Sequence, residues 1–402
     1  MRIVDVNEYY SPTGGGVRTY LDRKMAIMAE MGHELVVVAA GREEGVEERP
    51  GGGVIHWLKS PVLPLDTNYC VFIDKARIRA KLDELRPDVV ETSAPWGTAW
   101  AVAEWPGNAL KVYFGHNDNI GAYFARWLED FASVDQVEQL FGFYTRYMGR
   151  FLQYFDAFVT NGPELAIRHE RRGLKVHAAM PLGIETGYFS PRLRDERLRE
   201  TLLAQLGLPK DGHLLLGLGR HHPEKRWPLV IDAAEAAGTD LPVGLLLIGD
   251  GIHRRRIEKR VADSPHVRMF RPVYDRIQLS RIMASCDALI HGSDAEPFGL
   301  VGSEAIASGL PLIVPDTGGL SHIADPLFAE KYRARDPRSA ADAIRRMFAR
   351  EPAILRAAAV HAASKVRTDR DHAEALVDCY QEMLDARAGR TRRYRVISSG
   401  RR

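Results

Sequence analysis

The sequence predicts an α/β protein made of two doubly wound parallel sheets, and three observations carry that prediction. The chain has 402 residues, too many for one ordinary domain and enough for two of roughly 180 residues each. Short apolar runs with strand character alternate with helical patterns along both halves, the order that builds parallel sheets covered by helices. One stretch shows the repeating unit complete. The apolar run Asp287–His291, a polar turn, a helical segment and the apolar run Leu312–Val314 read as strand, loop, helix, strand.

In the first half the strand-like runs are Ile3–Val6, Leu35–Ala40, Val54–Trp57, Val89–Thr92, Leu110–Gly115, Ala157–Thr160 and Val176–Met180. Helical patterns fill Val17–Glu30 and Ile73–Leu85, the second stopped by Arg86-Pro87. The second half opens with the helical Leu202–Leu208 and the strand Leu214–Leu218, followed by a helix over Pro228–Ala237. The strand Gly244–Ile248, a basic helix and the strand Val267–Phe270 come next, and the last helical pattern is Asp371–Ala388.

Composition narrows the function classes. Apolar content of 45% and charged content of 27% are those of a globular protein. A net charge of +2 predicts no polyanion partner and so no nucleic acid. No apolar run approaches the roughly 20 residues that span a bilayer, and Asp5 interrupts any signal-peptide core at the N-terminus. The three cysteines, Cys70, Cys286 and Cys379, are odd in number and far apart, so neither a disulfide framework nor a zinc cluster is expected. The cytoplasm is the expected location.

The chain is organised around Ser293–Gly309, S-D-A-E-P-F-G-L-V-G-S-E-A-I-A-S-G. Glu296 and Glu304 stand eight positions apart. The first falls in the loop at the carboxyl end of a strand, where open α/β sheets bind ligands; the second is expected about two turns into the helix that follows. A solvated face is the plain reading of two such glutamates. It fits poorly here, because both lie in apolar company, where a carboxylate requires a partner. Gly299 leaves the backbone open, and the first N–H groups of the next helix favour an anion or a hydroxyl.

The run E-P-F-G-L-V-G-S-E-A-I-A-S-G-L-P-L-I-V resembles the E-x7-E signature of the retaining nucleotide-sugar glycosyltransferases of family 4, also called group 1. The resemblance covers nearly the whole chain and is most specific in the C-terminal half. It implies the GT-B architecture: two doubly wound Rossmann-like domains facing each other across a cleft, with a C-terminal helix crossing back to the first domain. Pro181-Leu-Gly-Ile-Glu185-Thr-Gly-Tyr-Phe189-Ser-Pro191 resembles the family's segment at the domain junction, with Leu182 for the usual Asn and Glu185 for the usual Asp. The expected boundaries are therefore an acceptor-side domain over 1–188, a nucleotide-sugar domain over 189–370, the returning helix over 371–388 and a basic tail over 389–402.

The resemblance also assigns residues. Glu296 is expected at the donor-sugar hydroxyls and Glu304 at the ribose. Arg220 and Lys225, in Gly219-Arg-His-His-Pro-Glu-Lys225, match the Arg and Lys that bind the donor diphosphate and stabilise the leaving group. Their own placement, two cations between a strand and a helix start, supports that role. His116, which ends the run Lys111–Gly115, matches a histidine that lies against the donor sugar; a lone His at a strand end is otherwise a hydrogen-bonded structural residue. Gly249, in a Gly-Asp-Gly turn, and Val273 are expected near the nucleotide. Backbone N–H groups at Phe298, Gly299 and Leu300 are expected at the sugar and phosphate. Gly14-Gly15-Gly16 reads equally as a flexible turn or as a backbone that approaches phosphate or sugar; relatives favour Gly15 and Gly16 at the donor. Arg18, Asp118 and Asn119 are the acceptor-side candidates.

Four features keep their plainer readings beside the functional ones. His221-His222 lacks an i+4 partner and reads as loop rather than metal ligand. Asp369-Arg-Asp371 stands before a helix start, where acids complement the dipole, so its D-x-D spacing is not read as a metal site. The aromatic segment 123–155 reads first as core and second as a lipid-facing surface with Arg146 and Arg150. The tail from Arg387, with seven arginines and no acid, reads as solvated or as weakly attracted to anionic lipid. The expected reaction is retaining transfer of a hexose-type sugar from a nucleotide diphosphate donor to a glycan or lipid hydroxyl. A UDP-hexose is the expected donor and GDP-mannose the next, with no metal or other cofactor. A phosphorylase or synthase on the same fold, and a silent sugar-nucleotide-binding protein, are the alternatives.

Overall fold

The structure is a computed structural model and describes residues 1–11, 16–63, 68–116, 118, 136, 139–185, 187–294 and 299–389. Its contacts divide the chain into two units. Met1–His116, Phe141–Pro181 and Asp369–Arg402 form the first; Asn117–Leu140 and Leu182–Thr368 form the second. The sequence places the junction at 188/189, whereas the chain leaves the first unit at Pro181 and returns at Asp369. Residues beyond Pro181 stay with the second unit for local reasons. The Ile184 N–H donates to the Arg367 carbonyl at 3.0 Å, and Glu185 meets Arg276 at 3.3 Å. The arginine-rich tail beyond Gly389 lies outside the described residues.

The first unit holds β1 (Arg2–Asn7), β2 (Glu34–Gly41), β3 (Gly45–Glu48), β4 (Val54–Lys59), β5 (Val89–Thr92), β6 (Leu110–Gly115), β7 (Ala157–Thr160) and β8 (Ala178–Ala179). They form one sheet in the order β3-β4-β2-β1-β5-β6-β7-β8, parallel except for the β3–β4 pair. Its helices are α1 (Gly16–Glu30), α2 (Lys75–Leu85), α3 (Gly97–Ala103), α4 (Gly142–Leu152), α5 (Pro163–Arg171) and, from the far end of the chain, α14 (Asp369–Arg387). The expected strand Val176–Met180 shrinks to the two residues of β8, while the charged edge strand β3 carries no apolar run by which to foresee it. Helix α4 divides the aromatic segment. Tyr144, Met148 and Phe151 are buried and Tyr147 donates to the Pro95 carbonyl at 2.8 Å, so the inward half is core. Phe143 and Tyr154 are exposed. Residues 123–135, 137 and 138 of that segment lie outside the description.

The second unit holds β9 (His213–Leu218), β10 (Val243–Ile248), β11 (Val267–Phe270), β12 (Ala288–Ile290), β13 (Leu312–Pro315) and β14 (Ala329–Tyr332). The order is β11-β10-β9-β12-β13-β14, parallel throughout. Helices α6 (Glu196–Gln205), α7 (Trp227–Gly238), α8 (Arg254–Val261), α9 (Arg276–Ser285), α10 (Leu300–Ala307), α11 (Gly319–Ile323), α12 (Pro337–Phe348) and α13 (Pro352–Ala363) connect and cover the strands. Apolar layers fill both faces of the sheet, as a parallel sheet requires. The order reverses between β9 and β12, which is the strand order of dinucleotide-binding folds, and loops leaving the carboxyl ends of those two strands form the natural ligand site. In the first sheet the same reversal falls between β1 and β5. Among the described residues no helix is long and apolar enough to cross a membrane.

The first sheet carries charge in its interior. Asp5 interrupts β1 and Glu91 interrupts β5, and the register sets them side by side. Lys24 of α1 pairs with Glu91, with their side chains only 2% and 1% exposed. Asn7 donates to Asp5 at 3.2 Å. Burial, and then the Glu91 carboxylate, push the Asp5 carboxyl up to about 7, against the pull of Lys24 and Asn7. Helix α14 closes over this cluster: Tyr20 of α1 lies 3.0 Å from His372 Nε2, and Arg23 pairs with Asp369 at 3.2 Å.

The raised Asp5 value gives a pH dependence of definite sign. The folded state holds the Asp5 proton more tightly than the unfolded chain, whose reference value is 3.8. The stability this contributes is full below about pH 4 and is lost as pH rises through about 7. Asp5→Asn carries no such proton. Denaturant midpoints measured from pH 4 to 8 should therefore fall more steeply for the native chain than for Asp5→Asn, and parallel profiles would refute the buried protonated carboxyl.

Candidate active site

The candidate site in the second unit is built from the two loops at the strand-order reversal. The first leaves β9 at Gly219 and ends at Arg226, the N-terminal cap of α7, whose backbone is left-handed with φ of 48°. It is fastened along its length. Gly219 N–H donates to the Ile248 carbonyl at 3.1 Å and His221 N–H to the Asp250 carbonyl at 2.8 Å. The Trp227 indole donates to the Arg220 carbonyl at 2.9 Å. The turn after β10 lies so close that a Cβ on Gly249 would stand 1.9 Å from the Gly219 carbonyl oxygen. Gly249 thus has a packing duty that the sequence reading did not assign to it.

Within this loop the two predicted cations differ. Arg220 is exposed, with its guanidinium 3.0 Å from Glu224. Lys225 is only 9% exposed, and its chain passes beneath Gly219, 3.4 Å from where a Cβ would be. A cation held that deep acts in a less screened environment than one in water. The second loop leaves β12 and meets the first backbone to backbone: a Cβ on Gly292 would lie 2.6 Å from the Lys225 carbonyl oxygen. Asp294 ties the same loops together, pairing with Arg226 at 3.0 Å and with Arg335 at 2.8 Å. Neither Asp294 nor Arg335 was foreseen, although an Asp two residues before Glu296 was the available signal.

Helix α10 follows. Gly299 is its N-terminal cap with φ of 65°, a left-handed backbone suited to glycine. Gly302 and Ser303 donate back to the Gly299 carbonyl at 2.9 and 3.0 Å, so Leu300 stands in the first turn, where N–H groups lie outside the intrahelical pattern. Glu304 is the fifth residue of α10, one turn in rather than the expected two, because the helix starts at Leu300. It accepts from the Arg276 guanidinium at 2.9 Å and is 14% exposed. Arg276 also reaches Glu185 and lies 4.7 Å over the Phe189 ring. Arg276 was missed in the sequence, where nothing distinguishes it from the other arginines. Val273 is partly buried against the second unit's core. Glu296 and Phe298 lie outside the described residues.

In the first unit, His116 follows β6. Its ring stacks on Phe114 at 4.5 Å and meets the Tyr20 ring edge-on at 5.3 Å. Asn161, after β7, has its amide nitrogen 3.1 Å from His116 Nδ1. Burial, then the positive charge of Lys24 and the field of His372, pull the His116 imidazolium down to about 3, so the ring is neutral at physiological pH. Gly16 opens α1, and a Cβ there would meet nothing within 4 Å among the described residues. Gly15 and Asn119 lie outside the description. Arg18 pairs with Asp22 within α1 at 3.4 Å; Asp118, which the division assigns to the second unit, is buried at 7% exposure. Of the plainer readings, Asp369 opens α14 and is engaged by Arg23, and His221 is a buried loop residue.

Comparison with known proteins matches both halves. The family model for glycosyl transferases group 1 matches residues 199–366, and that for glycosyltransferase family 4 matches residues 14–187. A GDP-mannose-dependent alpha-(1-6)-phosphatidylinositol dimannoside mannosyltransferase of Mycobacterium tuberculosis is 27% identical over 334 residues, covering 80% of this chain and 81% of its own. A GDP-mannose-dependent alpha-mannosyltransferase of Mycolicibacterium smegmatis is 27% identical over 341 residues, covering 81% of this chain and 82% of its own. Among solved structures, sucrose-phosphate synthase of Thermosynechococcus elongatus superposes with a TM-score of 0.75 at 20% identity, over 96% of this chain and all of that one. HepE of Anabaena in complex with UDP and glucose gives 0.70 at 17% identity, over 95% of this chain and 100% of that one. These structures share the two-domain, Rossmann-like GT-B fold. With the same class matched in both units, and the site loops where that fold binds ligands, the chain belongs to the group 1 glycosyltransferases of family 4.

Proposed function

We propose that this enzyme transfers a mannosyl-type hexose from GDP-mannose to a hydroxyl of a lipid-linked or glycan acceptor, with retention of configuration and without a divalent metal. The observation that carries a nucleotide diphosphate donor is the deeply held Lys225 in the loop at the β9/β12 reversal. The relatives that use GDP-mannose move that donor ahead of the UDP-hexose expected from the sequence. The phosphatidylinositol dimannoside in the name of the Mycobacterium tuberculosis relative makes a polyol or glycan hydroxyl on a lipid the favoured acceptor class.

As the bond to the anomeric carbon breaks, negative charge collects on the leaving diphosphate. In this reading Lys225 and Arg220 meet that charge, each well-placed donor contributing about 3 kcal/mol. Glu304, oriented by Arg276, accepts from ribose hydroxyls. The first N–H groups of α10, at Gly299 and Leu300, hold phosphate or sugar oxygens. Glu296 is assigned to the donor-sugar hydroxyls and Phe298 to the same backbone cradle by resemblance alone. So are His116, Gly15 and Gly16 at the donor, and Arg18, Asp118 and Asn119 on the acceptor side. No protein nucleophile is assigned: the leaving phosphate takes the acceptor proton, and the two basic side chains supply the countercharge.

Two experiments test this. Thermal unfolding with GDP, UDP and ADP, each with and without a chelator, should show a chelator-insensitive shift with GDP, worth about 2.7 kcal/mol at 100 times the dissociation constant. A shift with UDP alone would restore the UDP-hexose donor, and none with any nucleotide would remove the site. Steady-state kinetics should separate the residues. Arg220→Ala, at an exposed side chain, should lower kcat on the order of 10²-fold, whereas Glu304→Ala should chiefly raise KM for the donor. Unchanged kinetics in both would remove the assignments.

A further inference from the structure

Asn161 occupies the residue after β7 as His116 occupies the residue after β6. The two strands are parallel neighbours and Gly115 pairs with Thr160, so the next residues emerge side by side at the carboxyl edge of the first sheet. The Asn161 N–H donates to the Gly115 carbonyl at 3.3 Å, and its side chain is 2% exposed. The side-chain nitrogen Nδ2 lies 3.2 Å from the His116 carbonyl oxygen and 3.1 Å from His116 Nδ1.

Those two contacts settle which way both groups point. A carbonyl oxygen only accepts, so the amide atom beside it is the NH2 group; the reversed amide would set oxygen against oxygen. The second amide hydrogen then points at Nδ1, which must accept. A neutral imidazole carries one N–H, and with Nδ1 accepting it is on Nε2.

We propose that Asn161 is the positioning residue that fixes His116 as the Nε2–H tautomer, so that the ring offers a hydrogen-bond donor and no base. The proposal rests on the reading of His116 as a sugar-site residue and deepens it. A ring fixed in this way donates to a hydroxyl oxygen of the transferred sugar and has no free lone pair with which to deprotonate the acceptor. Burial, then Lys24 from α1 and His372 from α14, keep the ring neutral; Tyr20 meets it edge-on and Phe114 stacks beneath. Asn161 Oδ1 is buried without a hydrogen-bond partner among the described residues, so the amide does not gain by this orientation except through its two bonds to His116.

The test begins with the full-length, nucleotide-free protein labelled with 15N in its histidine side chains. The His116 signals are those lost in His116→Gln. At pH 7 they should show the Nε2–H pattern, and an Nδ1–H pattern overturns the proposal without any Asn161 variant having to fold. Asn161→Asp replaces the donor by an acceptor of the same shape. It should move the proton to Nδ1 and lower kcat on the order of 10²-fold with little change in donor KM. Loss of kcat with the Nε2–H pattern retained would mean that Asn161 is merely structural, and overturns the proposal. His116→Ala with unchanged turnover would instead remove the sugar-site reading while leaving the tautomer assignment standing.

Discussion

The second unit depends on a backbone contact that tolerates no side chain. The loop from β9 and the loop from β12 meet where Gly292 lies against the Lys225 carbonyl, and the turn after β10 meets the Gly219 carbonyl at Gly249. A methyl group at either glycine would drive the loops apart by more than side-chain adjustment absorbs. From these approaches follow the depth of Lys225, the left-handed cap at Arg226 and the convergence of Arg226 and Arg335 on Asp294. A parallel sheet places the loops, glycines let them close, and the ion pairs then hold the segment that leads to Glu296.

The first unit solves a different problem with the same topology. There the reversal lies between β1 and β5, and adjacent strands carry Asp5 and Glu91 into the interior, answered by Lys24. Such a buried cluster is weak support for stability, because desolvation offsets most of the attraction. It sets the electrostatic conditions near the carboxyl edge of the sheet instead, where the positive field of Lys24 helps keep His116 neutral. The hydrogen bonds of Asn161 then decide which ring nitrogen carries the proton.

Much of this was legible in the sequence. Most strands of both sheets announce themselves as apolar runs because parallel strands are buried on both faces, and the loop with Arg220 and Lys225 and the helix with Glu304 follow strand ends that the motif spacing located. Features that depend on register or on tertiary distance were not legible. Asp5 and Glu91 are visible as charges inside apolar strands, but only the pairing of β1 with β5 shows that they share one site. Asn161 ends an apolar run as plainly as His116 does, yet its role depends on which strands are neighbours. Arg276 gave no signal, since a surface arginine and one that orients Glu304 read alike. The charged edge strands β3 and β14 escaped because neither buries enough apolar surface to leave a pattern.

A crystal structure of the enzyme with GDP tests the central claim most directly. The account predicts diphosphate oxygens within hydrogen-bond distance of Lys225 Nζ and the Arg220 guanidinium, with the ribose hydroxyls on the Glu304 carboxylate. A nucleotide bound away from the β9 and β12 loops, with Lys225 and Glu304 untouched, would contradict it.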